Sequence, residues 1–181
     1  MRISRGVHVF GIGLCAFALT ASMHGQQASD PVSVACGPTK MDFSVRKEPI
    51  PSIPAPIPAG QALVYIVESM PEVPFVTKKV NIGSDGAWLG ATDANTSVSF
   101  YVTPGVHHLC AVYQGHALGM DKEGLTLLLR LNAQAGQTYY VNYHGMFLKD
   151  SPSIAFFNFV DEDEGQLLLQ RSQHVISVPK H

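Results

Sequence analysis

The chain is predicted to be all-β: a sandwich of about eight short antiparallel strands with one C-terminal helix. Three observations predict this. Short runs rich in Val, Ile, Tyr, Phe and Leu recur between residues 61 and 160. Turn pairs such as Asp85-Gly86, Pro104-Gly105 and Ala135-Gly136 separate them, at spacings suited to a sandwich or barrel rather than to alternating strands and helices. The run Ala62-Leu63-Val64-Tyr65-Ile66-Val67 is continuously apolar and of strand length, the mark of a central strand buried on both faces.

The elements follow in order. Arg2 and Arg5 precede an uncharged apolar stretch, the layout of a secretory signal, so residues 1–28 are set apart from the fold. Small residues fit a cut after Ser22, with Thr20 behind it; cuts as far as Ala28 place larger residues at those positions. The apolar run is shorter than the ~20 residues of a spanning helix, which favours removal over an uncleaved anchor. Leu14 before Cys15 fits a lipoprotein site poorly. No membrane span is expected after removal.

Residues 29–47 read as an N-terminal arm, with a half-buried strand in Met41-Asp42-Phe43-Ser44-Val45. Residues 48–60 read as a linker, where Pro49, Pro51, Pro54, Pro56 and Pro58 favour extended polyproline II. The main domain is expected at 61–176. Its strands are 62–67, 75–82, 87–90, 96–103, 106–113, 125–131, 138–143 and 154–160, with 125–131 and 138–143 paired across Ala135-Gly136. Asp161 with Glu164 has the spacing of a helix cap, and 167–175 is expected as helix docked on the sheet, leaving a tail at 177–181.

Charge and cysteine use bear on compartment and partners. Without residues 1–28 the chain keeps ten Lys and Arg against fourteen Asp and Glu, a net charge of −4. No basic stripe is left to neutralise phosphates, so a nucleic-acid partner is not expected. Cys15 leaves with the signal. Cys36 and Cys110 then form an even pair in an exported chain, a disulfide candidate, with two separate buried thiols as the alternative.

Four motifs resemble a known group. Gly60-Gln61-Ala62-Leu63-Val64-Tyr65, Pro104-Gly105-Val106-His107, Ala135-Gly136-Gln137-Thr138-Tyr139-Tyr140-Val141 and Val160-Asp161-Glu162-Asp163-Glu164-Gly165 are similar to bacterial exported proteins of the domain of unknown function 2846 family. Asp85-Gly86-Ala87-Trp88 and Cys36-Gly37-Pro38 look like a subgroup of it. The resemblance spans roughly residues 36–175 and implies an envelope-associated β-domain. It supplies no catalytic or binding residues.

Candidate chemistry is sparse. His107 and His108 are adjacent in an expected strand, so they point to opposite faces and do not share a metal. His108 shares its face with Cys110, while His116 and His144 fall near loops. Asp161-Glu162-Asp163-Glu164 lacks the glycine-spaced pattern of a calcium loop. No Gly-x-Ser-x-Gly elbow is present. No catalytic residue, metal or cofactor is therefore expected. Among the aromatic residues, Trp88, Tyr139 and Tyr143 are candidates to face a ligand. The expected role is a non-catalytic envelope protein, in the periplasm or at the cell surface, that serves as a protein-interaction module. The alternative is a carbohydrate or cell-wall binding module. An open strand edge or apolar patch favours the former; outward aromatics lining a groove favour the latter.

Overall fold

The structure is a computed structural model that describes residues 30–37, 41–48, 56–71, 79–114, 126–146 and 154–180. The expected signal segment and residues 49–55 of the expected linker lie outside the described residues, as does His116. In chain order the elements are α1 (Pro31–Cys36), β1 (Phe43–Glu48), β2 (Ala62–Glu68), β3 (Lys79–Ser84), β4 (Ala87–Thr92) and β5 (Thr96–Val102). Then come β6 (Gly105–Gln114), β7 (Thr126–Ala133), β8 (Thr138–Met146), β9 (Ile154–Val160), α2 (Glu162–Arg171) and β10 (Gln173–Pro179).

Two open sheets form a sandwich-like all-β fold. One has six strands in the order β1-β10-β5-β2-β8-β9, the other four in the order β4-β3-β6-β7. Val64 and Ile66 of β2, Val80 and Ile82 of β3, Leu109 and Ala111 of β6, Leu131 of β7 and Val141 of β8 fill the space between them. The period-two alternation of strands explains the selection: in β6 and β7, Leu109, Ala111 and Leu131 face inward, while Cys110 and Leu128 lie on the other face.

The described strands number ten rather than eight, and they are mixed rather than all antiparallel. β2 runs parallel to β8, and β10 runs parallel to β5. The reason lies in the path of the chain. After β2 the chain crosses to the four-stranded sheet for β3 and β4, returns for β5, crosses again for β6 and β7, and returns for β8. Neighbours in the six-stranded sheet are thus joined through the other sheet, and their directions need not alternate. The expected pairing of β7 with β8 is corrected on the same ground: Ala135-Gly136 is a corner between sheets. There Gly136 N donates to Gln61 O at 2.7 Å, tying the corner to the start of β2.

Both ends of the domain differ from expectation. α1 lies within the expected arm: Asp30 accepts from Val32 N and Ser33 N, with Pro31 in the first turn. An Asp-Pro pair is a helix-start signal, since the carboxylate satisfies free amides and proline has no amide to leave unsatisfied. At the other end, Asp161 caps α2 as predicted, accepting from Glu164 N at 2.8 Å. The helix stops at Arg171, however, and the expected tail 177–181 begins inside β10. Val175 is buried while Ile176 and Val178 are exposed, an alternation of β-branched residues that suits a strand. β10 pairs with β1 from Phe43↔Pro179 to Glu48↔His174, so the arm strand belongs to the larger sheet.

α2 docks at a glycine. A Cβ on Gly165 would lie 2.2 Å from Cγ of Tyr140 and 2.6 Å from its Cβ, so the helix backbone rests directly on the tyrosine ring. Among the described residues no helix is long and apolar enough to cross a membrane.

Candidate interaction surface

β9 reads Ile154-Ala155-Phe156-Phe157-Asn158-Phe159-Val160, seven residues with no charge and no proline. It pairs with β8 in antiparallel register, from Tyr140↔Val160 to Met146↔Ile154. It is the last strand of the six-stranded sheet, so among the described residues no strand is hydrogen-bonded to its other side. Phe157 points into the core, and Ala155 packs against it. Ile154, Phe156 and Phe159 remain 45%, 48% and 38% exposed. His144 stacks on Phe156 at 5.0 Å, and Tyr139 meets Phe159 at 6.4 Å with the rings tilted by 60°. These contacts hold the exposed rings in place. The result is an apolar edge.

Among the described residues the three other sheet edges, β1, β4 and β7, are guarded. β1, at the far side of the same sheet, carries Arg46, Lys47 and Glu48, with Arg46 paired to Glu48 at 2.9 Å. Charge on an edge strand discourages further pairing. On β4, Ser177 Oγ donates to Ala91 O at 2.8 Å and accepts from Ala91 N at 2.9 Å, occupying backbone groups of that edge. β7 carries Arg130, and Tyr139 Oη donates to Asn132 O and accepts from Gln134 N beside its end. β9 carries no charge along its length, although Asn158 Nδ2 donates to Phe159 O at 3.1 Å and so occupies one backbone acceptor of the strand.

Cys36 and Cys110 are joined, with Cα atoms 5.6 Å apart across 74 positions of sequence. The bond pins α1 to the outer face of the four-stranded sheet. Trp88 is half-buried against the cluster of Ala35, Cys36 and Cys110, so it supports the bridge. Tyr143 is 1% exposed and belongs to the core, which corrects its expected outward placement. Tyr139, Val141 and Tyr143 alternate on the inner side of β8, and Tyr139 is half-buried with its hydroxyl engaged by backbone. Trp88, Tyr139 and Tyr143 therefore do not converge.

The outward tyrosines are others. Tyr65 and Tyr140 stack at 5.7 Å with an interplanar angle of 9°, and Tyr101 nearby is 40% exposed. Burial, with Tyr140 and Tyr101 beside it, pushes the Tyr65 phenol above its ordinary value. Burial and the neighbouring Glu162 do the same for Tyr140, although a hydrogen bond with Gln166 opposes them. Both rings spend a face on the stack, and Gly165 covers Tyr140, so this pair offers little flat area to a sugar. The alternation of β8 already carried the signal that Tyr139 and Tyr140 diverge. Only cross-strand register could bring Tyr65 to Tyr140.

A groove of about 550 Å³ runs between α1 and the β6–β7 pair, with Pro31, Val34, Leu128, His108 and Arg130 along it. His108 and Arg130 are cross-strand partners there. Among the described residues, no group of three or more His, Cys, Asp or Glu side chains is placed to hold a metal ion.

A polar clasp closes the turn between β3 and β4. Asp85 Oδ2 lies 2.6 Å from His107 Nδ1, Asp85 Oδ1 accepts from His108 N at 2.8 Å, and His107 Nε2 lies 2.7 Å from Thr103 O. With an acceptor at each ring nitrogen, the geometry favours imidazolium, which has two donors. Burial disfavours the charge on His107, but the Asp85 and Thr103 bonds outweigh it and raise its pKa above 6.5. Burial likewise opposes ionisation of Asp85, yet the bonds from His107 and His108 bring its pKa below 3.8. The raised histidine contributes stability that is complete below pH 6.5 and is lost as pH rises through its folded value. The depressed carboxylate contributes above pH 3.8 and is lost as pH falls through its folded value. The clasp is therefore strongest between these limits. An NMR titration should place the His107 midpoint above 6.5, and Asp85→Asn should lower it. A wild-type midpoint at or below the ordinary value would contradict the clasp.

No protein-family model, no curated protein and no solved structure matches the chain.

Proposed function

We propose that this chain is a non-catalytic exported protein of the envelope, in the periplasm or at the cell surface, whose β-sandwich serves as a protein-interaction module. The observation that carries this reading is the β9 edge: an uncharged seven-residue strand with three exposed apolar side chains and, among the described residues, no strand hydrogen-bonded to its outer side. A terminal strand of this kind combines backbone hydrogen-bonding groups with apolar area, the two requirements of strand addition. The Cys36–Cys110 bond is in keeping with an oxidising compartment. Kinship with the domain of unknown function 2846 group is proposed on its motifs alone.

Crosslinking and affinity capture from the native envelope tests the role, with Phe156→Lys as control. Phe156 is about half exposed and lies outside the buried core, so the lysine charges the edge without opening that core. The wild type should retain a stoichiometric protein partner and Phe156→Lys should lose it by tenfold or more. Equal recovery by both forms, or recovery of glycan alone, would overturn the reading.

A further inference from the structure

Resting on the reading of β9 as an interaction edge, we infer that its partner is β9 of a second copy of this chain, paired antiparallel about Phe157. Charge selects the direction. Asp161, Glu162, Asp163 and Glu164 follow β9 directly. Parallel pairing would set two such acidic clusters side by side, about 5 Å apart at the spacing of neighbouring strands. Antiparallel pairing sends them to opposite ends of the strand pair, roughly 27 Å apart at ~3.4 Å per residue. That is beyond the screening length of ~8 Å in physiological salt.

Side-chain size selects the register. With Phe157 opposite its own symmetry mate, Ile154 faces Val160, Ala155 faces Phe159 and Phe156 faces Asn158. Directly opposite residues of an antiparallel pair share a face, so this register keeps both Phe157 rings on the core side. The small Ala155 leaves room for the Phe159 ring across the axis, and Asn158 for Phe156. Ile154, Phe156 and Phe159, all exposed in the single chain, are covered together. A strand with no charge also meets its copy without repulsion, as the edge bearing Arg46, Lys47 and Glu48 would not. The two six-stranded sheets then join into one continuous sheet, with the same patch used on both copies as two-fold symmetry requires.

Sedimentation of the oxidised exported chain over a wide concentration range tests this. The wild type should pass from monomer to dimer as concentration rises, and Phe156→Lys should stay monomeric at the highest concentration. Ile154→Lys, at a second exposed position, should do the same should Phe156→Lys fail to fold. For the register, Phe156→Cys mixed with Asn158→Cys should crosslink several-fold more than either variant alone. A wild type that stays monomeric throughout, a dimer indifferent to both lysines, or no preference for the mixed crosslink would overturn the self-pairing. A monomeric wild type that still captures a different protein, lost in Phe156→Lys, would overturn self-pairing and leave the interaction-module reading standing.

Discussion

Tyr143→Ala is expected to lower the unfolding free energy by about 3–5 kcal/mol, the range for truncating a large buried aromatic. The ring is 1% exposed and packs in the main core among residues of both sheets. Its phenol is pushed well above the ordinary range, first by burial and then by Glu68 and Tyr113 nearby. Truncation leaves a cavity that two opposed sheets cannot easily collapse. Tyr101→Ala, at a position 40% exposed, should change stability by less than about 0.5 kcal/mol. Urea denaturation of both variants at constant m-value checks the contrast. A loss below about 1 kcal/mol for Tyr143→Ala would return that tyrosine to the surface and reopen its use as a ligand contact.

Removing the disulfide should have the next largest effect. The bond closes a loop of 74 positions, for which the loop-entropy account gives about 4 kcal/mol as an upper figure. Cys36→Ser with Cys110→Ser should therefore lower stability by roughly 2–4 kcal/mol. It should also release α1, whose six residues cannot hold a helix without a docking contact. A protease that spares residues 30–37 in the oxidised protein should cut there in the double variant. The seat of the bond gives a second handle. A Cβ on Gly83 would stand 2.8 Å from Cys110 Sγ and 3.1 Å from Cys36 Cα. Gly83→Ala should consequently destabilise the oxidised protein more than it destabilises the double serine variant. Equal penalties in the two backgrounds would show that the bridge does not press on Gly83. Alkylation of both thiols in unreduced protein would remove the bond altogether.

Much of the architecture follows from local pattern. The apolar run 62–67, the Asp85-Gly86 turn, the alternation of 96–102 and the phenylalanine-rich 154–160 each identify a strand, because a strand's side-chain period is short and its turns use few residue types. The Asp161 cap was legible for the same reason: its partner amide is three residues away. Two local signals run against the expectation: Asp30-Pro31 starts a helix within the expected arm, and the alternation from Val175 to Val178 belongs to a strand that takes the end of the expected helix and the start of the expected tail.

The rest depended on contacts between distant residues. Asp85-Gly86 joins strands of one ladder, whereas the Ala135-Gly136 turn moves the chain between sheets, yet both look like hairpin turns in sequence. A turn closes a few hydrogen bonds, and which sheet the next strand joins is decided by where its apolar face finds cover. The same competition makes β2 and β8 parallel, stacks Tyr65 on Tyr140, and buries Tyr143. It also leaves β9 at an edge. The sequence by itself determined strand content, the cysteine pair and the capped helix start, all set by neighbours along the chain or by residue chemistry. Strand order, strand direction and the exposed β9 edge were decided only by tertiary structure, because burial and register are properties of residues brought together from far apart.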